Sequence, residues 1–194
     1  MNEPVTLYTE STPNPATMKF VANRYLLTSG WVEVDRGSQG LPEVPLAVKL
    51  FEFPFVDKVF ISQNFVTITR QSEEDWHEIN PILKEFIQRY VEAGLPVARS
   101  VQTEPAEAAG GGEADGGETP LRIQQILREY IQPAVEQDGG AIRYKSWDPA
   151  SGVVSVTLQG SCSGCPSSAI TLKAGIENLL KRMLPEVKEV VAEV

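Results

Sequence analysis

The sequence has few side chains that bind metals or attack substrates: its 194 residues include two cysteines and one histidine. We expect the histidine, His77, to be a polar residue on an exposed helix face rather than a ligand. The cysteines, Cys162 and Cys165, form a single CxxC motif. Because two thiols cannot complete a site of four thiolates, such a site would need ligands from outside one chain.

Positive charge and long apolar runs are also scarce. Lys and Arg number 17 against 26 Asp and Glu, for a net charge of -9. Nucleic acids and anionic membrane surfaces both require clusters of cations, so we expect neither as a partner. No apolar run approaches the roughly 20 residues that span a bilayer. The N-terminus lacks the features of a secretory signal, and we therefore expect a cytoplasmic location. In that reducing compartment a CxxC motif is typical of catalysis or metal binding.

The composition predicts two domains joined by a tether. Residues 101–118 are rich in glycine and alanine and contain five acidic and no basic residues. Such a segment cannot bury enough apolar surface to fold, so we expect a flexible linker with an r.m.s. span of roughly 25 Å. It separates an acidic domain, residues 1–100, from a domain without net charge, residues 119–194.

Residue patterns predict that both domains are small α+β domains. In the first, strands are expected over 5–9, 18–22, 31–34, 56–61 and 65–69, and helices over 46–53 and 75–91. In the second, the expected order is α-β-β-α-β, with a first helix starting at Thr119-Pro120, strands over 142–147, 153–158 and 187–191, and a helix over 166–183. Apolar spacing assigns inward positions in these two helices to Ile123, Ile126, Leu127, Tyr130, Ile131, Ile170, Ile176, Leu179, Leu180 and Met183. Between them, Asp138-Gly139-Gly140 indicates a tight turn that could also shape the site.

The CxxC motif lies between a predicted strand and a helix that begins near Pro166. Free N–H groups at that helix end should lower the pKa of Cys165 and, less strongly, of Cys162. Thiolates suit zinc, copper(I) or iron–sulfur clusters.

Several functions are compatible with this motif. The cysteines could be incidental, or they could form the disulfide of a thiol–disulfide oxidoreductase, although no βαβ unit or aromatic residue precedes Cys162. They could also hold zinc or an iron–sulfur cluster. Two chains supply four thiolates, which predicts a symmetric dimer with the metal group on its two-fold axis. A cluster held at the interface of two subunits would be accessible to solvent, which suits its delivery to another protein. Four thiolates could hold either a [4Fe–4S] or a [2Fe–2S] cluster.

The second half closely resembles the C-terminal domain of the NifU (Nfu) family. The resemblance rests on Asp138-Gly139-Gly140, Gly160-Ser161-Cys162-Ser163-Gly164-Cys165-Pro166-Ser167-Ser168 and Thr171-Leu172-Lys173-Ala174-Gly175-Ile176-Glu177. The first half is similar to the Nfu N-terminal domain through Thr12-Pro13-Asn14-Pro15, Met18-Lys19-Phe20, Val59-Phe60-Ile61-Ser62 and Asn64-Phe65-Val66-Thr67-Ile68-Thr69, followed by Trp76.

The resemblance implies a non-enzymatic iron–sulfur cluster carrier or scaffold. Cys162 and Cys165 would ligate a [4Fe–4S] cluster shared between two subunits of a homodimer. An upstream scaffold would supply the cluster, and apo iron–sulfur proteins would receive it. Because the chain has no further cysteines, the cysteine-rich U-type domain is missing, and we expect late-stage transfer rather than primary assembly. The N-terminal domain would dock clients or upstream factors.

Overall fold

The computed structural model describes residues 4–38, 41–71, 74–99, 118–163 and 166–193. The chain divides into two compact units, residues 1–103 and 104–194, and each has its own sheet and apolar core. This confirms the α+β class and the two-domain architecture. The predicted linker lies, apart from Glu118, outside the described residues, so its limits and its flexibility stay predictions. No helix in the described part of the chain has the length and apolar character needed to cross a membrane.

The first unit is a five-stranded antiparallel sheet in the order β1-β2-β5-β4-β3. Its strands are β1 Leu7–Ser11, β2 Thr17–Ala22, β3 Val32–Asp35, β4 Val56–Ile61 and β5 Phe65–Arg70. A 3₁₀ turn, Leu41–Glu43, precedes helix α1, Pro45–Leu50, and helix α2 is Trp76–Glu92. The hairpin of β4 and β5 forms as the sequence predicts, with Ile61 opposite Val66.

Helix α2 closes over the core of this unit. The side chain of Asp75 accepts a hydrogen bond from the His77 backbone N–H at 2.9 Å, which caps the helix. Gly94 follows the helix with φ 65°, a conformation in which glycine is favoured. The residues of α2 that the core buries are Ile79, Leu83, Ile87, Tyr90 and Val91. Helix α1 is shorter than predicted and ends at Leu50 rather than Phe53.

The second unit has the predicted order α-β-β-α-β. Its first helical segment consists of α3 Glu118–Ile126, a π-helical turn Leu127–Ile131 and α4 Gln132–Gln137. Strands β6 Gly140–Asp148 and β7 Val153–Gly160 are antiparallel, and β8 Glu189–Glu193 runs parallel to β7. Helix α5 spans Pro166–Met183 and makes the connection from β7 to β8.

Three inward positions predicted for this unit are wrong. The side chain of Tyr130 is 50% exposed, because the π-helical turn adds a residue and changes the phase of the apolar stripe. Ile170 and Met183 are also exposed. In the same helix, Ile176 and Leu180 are fully buried. Thr119 is helical, and its hydroxyl donates to Glu186 instead of capping the helix.

Candidate functional site

Cys162 lies in a 3₁₀ turn, Ser161–Ser163, between the end of β7 and helix α5. The strand–CxxC–helix arrangement that the sequence predicted is therefore present around this cysteine. Cys165 lies outside the described residues, as does Gly164. The pairing of the two thiols as ligands stays a prediction.

The turn between the end of α4 and the start of β6 is hydrogen-bonded to Ser161, the residue before the CxxC motif. Gly139 and Gly160 have φ values of 82° and 70°, in the left-handed region that favours glycine. The Ser161 backbone N–H donates to the Gly139 carbonyl at 3.3 Å, and the Ser161 hydroxyl donates to the Asp138 carbonyl. Asp138-Gly139-Gly140 is thus a turn whose backbone also positions the motif. At Asp138, the main-chain carbonyl and not the side chain accepts the hydrogen bond from the Ser161 hydroxyl.

Gly140 lies against the backbone of Gln159 and the sulfur of Cys162. It pairs with Gly160 at the first position of the β6–β7 ladder. A Cβ added at Gly140 would lie 3.2 Å from Cys162 Sγ and would clash with the Gln159 carbonyl oxygen, which is nearer still. The sequence pattern predicted a tight turn here that could also shape the site. The contact with Cys162 joins residues 22 positions apart, which the local pattern does not reveal.

The thiol of Cys162 points into the core rather than toward solvent. Its residue is 4% exposed and belongs to the same apolar cluster as Leu158, Ile176 and Leu180. The pKa of this thiol is raised, and burial is the largest cause. The Ser161 hydroxyl, 3.8 Å from Sγ, acts in the opposite direction and lowers the pKa, whereas the charge of Asp138 raises it further. The prediction that the helix end lowers the pKa of Cys162 is wrong, because desolvation of the thiolate is the largest effect there.

The described residues offer few further metal ligands. They contain no group of three or more His, Cys, Asp and Glu side chains that could hold a metal ion. His77 is exposed on α2, in the other unit, as expected. Chemically, the arrangement around Cys162 provides one soft sulfur ligand at a defined place, and Cys165 would have to supply the second.

Both halves of the chain match families of known proteins. Residues 7–94 match the family described as scaffold protein Nfu/NifU N terminal, and residues 123–191 match the NifU-like domain. The chain is 36% identical to NifU-like protein 4, mitochondrial, of Arabidopsis thaliana, over 96% of its length and 65% of that protein. It is 35% identical to the human NFU1 iron-sulfur cluster scaffold homolog, mitochondrial, over 95% of its length and 70% of that protein.

These relatives contradict the expected cytoplasmic location. Both are named as mitochondrial, as is NifU-like protein 5 of Arabidopsis thaliana, which is 34% identical to the chain. The expectation rested on the missing secretory signal, and such an absence does not identify a compartment. The chain spans about two thirds of the length of these relatives, between 65% and 70%.

Proposed function

The chain belongs to the Nfu family of NifU-like proteins, and on that premise we propose that it is an iron–sulfur cluster scaffold that passes its cluster to apo-proteins. The observation that carries the proposal is the CxxC motif, which contains both cysteines of the chain and lies inside the NifU-like domain. The human relative is named as an iron–sulfur cluster scaffold. The cluster is cargo, so the proposed role is non-enzymatic.

The number of thiols determines the form of the loaded protein. Cys162 and Cys165 of one chain supply two thiolates, and a second copy supplies two more, which completes the four-cysteine ligand set of a [4Fe–4S] cluster. The loaded species is then a homodimer with the cluster between the subunits. A [2Fe–2S] cluster has the same ligand requirement.

Transfer proceeds by ligand exchange. A thiolate of the client protein forms a new sulfur–iron bond as the bond from Cys162 or Cys165 breaks, and the released thiolate takes up a proton. Repeating this step moves the cluster without any change in the oxidation state of the cysteines. An upstream scaffold loads the dimer by the same exchange in reverse.

The family match does not favour the alternative of a thiol–disulfide oxidoreductase. The CxxC motif lies inside the NifU-like domain, and the human relative is named as an iron–sulfur cluster scaffold. The burial of Cys162 does not separate the two functions, because an attacking thiol and a cluster ligand both have to be accessible.

Substitution of either cysteine tests the proposal. We expect Cys162→Ser and Cys165→Ser each to abolish stable cluster binding after anaerobic reconstitution, because each change removes two of the four ligands of the dimer. Iron and sulfide analysis with native mass spectrometry provides the measurement. Ser163→Ala is the matched control, since it alters the same loop without removing a thiol, and it should bind a full cluster per dimer. A cysteine variant that retains full iron and sulfide, or a monomer that holds a cluster without added thiols, would refute the proposal.

A further inference from the structure

The buried position of Cys162 conflicts with the task that the proposed function gives to this residue. A thiolate that shares a cluster with a second chain has to reach the protein surface, because the cluster lies between the chains. The described conformation instead packs the thiol against the core of its own domain, with 4% of the residue exposed. In this conformation the sulfur is not exposed at the surface of its own domain.

Two neighbouring residues hold the thiol in its inward position. A Cβ at Gly140 would clash with the Gln159 carbonyl oxygen and would lie 3.2 Å from Cys162 Sγ, so glycine at this position leaves both the strand pairing and the inward sulfur undisturbed. Ser161 connects the turn to the preceding segment through a hydrogen bond from its backbone N–H to Gly139 and another from its hydroxyl to Asp138. Ser161 is itself buried, and its hydroxyl oxygen lies 3.8 Å from Sγ.

We propose that Gly140 and Ser161 are positioning residues that keep Cys162 in a closed form of the turn Ser161–Ser163, and that this turn opens before the thiol binds iron. The inference rests on the proposed function. The number of cysteines determines how much cluster the protein binds, whereas Gly140 and Ser161 determine how fast the cluster is loaded.

The first test measures the accessibility of the thiol in the apo protein. The full chain carries Cys165→Ser, so that Cys162 is its only thiol, and alkylation by iodoacetamide is followed by mass spectrometry. We expect labelling to be slower than in the denatured chain by roughly tenfold or more, because the reagent waits for local opening. Equal rates in the folded and the denatured chain would overturn the proposal.

Adding Ser161→Ala tests the hydrogen bonds of the turn. We expect labelling to accelerate roughly three- to tenfold, the effect on an equilibrium of losing one ordinary hydrogen bond. The change in thiol acidity acts in the opposite direction. The Ser161 hydroxyl lowers the pKa of the Cys162 thiol, so its removal reduces the thiolate fraction and slows alkylation. Faster labelling would therefore report opening of the turn, and an unchanged or slower rate would overturn the role of Ser161.

Gly140→Ala, also in the Cys165→Ser chain, tests the space beside the sulfur. We expect labelling to accelerate roughly tenfold or more, since the added methyl group displaces Sγ and strains the start of β6. Gly152→Ala is the matched control for destabilisation: its Cβ would lie 2.8 Å from the Glu186 carbonyl oxygen, at the opposite end of the β6–β7 hairpin. Gly175→Ala, which meets no atom within 4 Å, controls for the substitution itself.

Comparison of these variants separates opening of the turn from unfolding of the domain. Suppose that Gly152→Ala and Gly140→Ala have equal free energies of unfolding in urea and accelerate labelling equally. The acceleration then comes from unfolding of the whole domain, and the role of Gly140 is refuted. If Gly140→Ala does not fold, Ser161→Ala alone decides the proposal.

Cluster loading links the inference to function. In chains with both cysteines, we expect Ser161→Ala to take up iron and sulfide faster than the wild type and to reach the same final content per dimer. Faster labelling with an unchanged loading rate would refute the requirement for opening. A chain that binds no cluster at all, although Cys162 is labelled slowly, would refute the proposed function and leave the closed turn established.

Discussion

The thiol of Cys162 is stable in the core only while it is protonated. Burial raises its pKa above the ordinary value of 9.0; the Ser161 hydroxyl lowers it and the charge of Asp138 raises it. A neutral thiol behaves as a small apolar group, whereas a thiolate in the same place lacks solvation. The protonation state of this one side chain therefore affects the stability of its domain.

We expect the contribution of Cys162 to stability to decrease as pH rises. The folded protein keeps the thiol proton to a higher pH than the unfolded chain does. The stabilisation is therefore complete below the pKa of the unfolded thiol and is lost as pH rises through the folded pKa. The measurement is the free energy of unfolding in urea, from neutral pH to about pH 10.

Two chains isolate this effect, one with Cys165→Ser alone and one that adds Cys162→Ala. All other titrating groups are common to both, so the difference between their free energies of unfolding reports Cys162. That difference should shrink with rising pH. A constant difference would show that the folded and unfolded thiols have the same pKa.

At the scale of secondary-structure elements, short-range patterns predict most of the fold. Strands β2, β4 and β5 are short segments rich in apolar residues, and α2 begins after an Asp N-cap and ends before Gly94. The order of elements in the second unit follows from the same kind of pattern. These features depend on neighbouring residues, so the sequence alone contains the information.

The features that the sequence did not predict depend on distant contacts or on changes of helical period. The π-helical turn at Leu127–Ile131 exposes Tyr130 because an extra residue interrupts the 3.6-residue repeat. Cys162 lies beside Gly140 only when β6 and β7 pair, so this contact depends on residues that are distant in the sequence. Local pattern therefore identified the cysteine at the site but not its burial or the residues that hold it.

Arg36 fixes the connection between α1 and β4, which has no regular structure of its own. Its guanidinium group donates to the carbonyl oxygens of Phe51, Phe53 and Val56 at distances between 2.6 and 2.9 Å. We expect Arg36→Ala to destabilise the protein by about 1–2 kcal/mol, because three carbonyls lose a charged donor in a partly exposed place. The midpoint of urea unfolding measures this effect.

The planar fork of arginine is the basis of this prediction, so Arg36→Lys should lose most of the same stability although it keeps the charge. Lys49→Ala serves as the control. It removes an exposed ion pair with Glu52 in the same part of the chain, and such surface pairs contribute little. Full stability in Arg36→Lys would show that charge, and not geometry, is what the connection needs.

At the scale of the whole molecule, we propose that different parts of the chain bind the cluster and recognise the client proteins. The described residues of each unit form a separate core, and each unit matches its own family. The chemistry of the cluster depends on the second unit, which contains both cysteines. This leaves recognition of clients or upstream factors as the proposed role of the first unit.

Deletion of residues 1–100 tests this division. We expect the shortened chain to bind the same amount of iron and sulfide per dimer, because the ligands and the core of the second unit remain. Transfer to clients that the first unit docks should slow by roughly tenfold or more at micromolar concentrations, since tethering raises the effective concentration of client to the millimolar range. The measurement is the rate at which several apo-proteins gain their cluster or activity.

The control adds the deleted segment, residues 1–100, as a separate polypeptide to the shortened chain. If docking acts through the tether, the two pieces in trans should not restore the rate, because the client is then held near a domain that carries no cluster. Restoration in trans would instead indicate that the first unit activates the client directly. Unchanged transfer rates for all clients after the deletion would remove the docking role, and the first unit would then need another function.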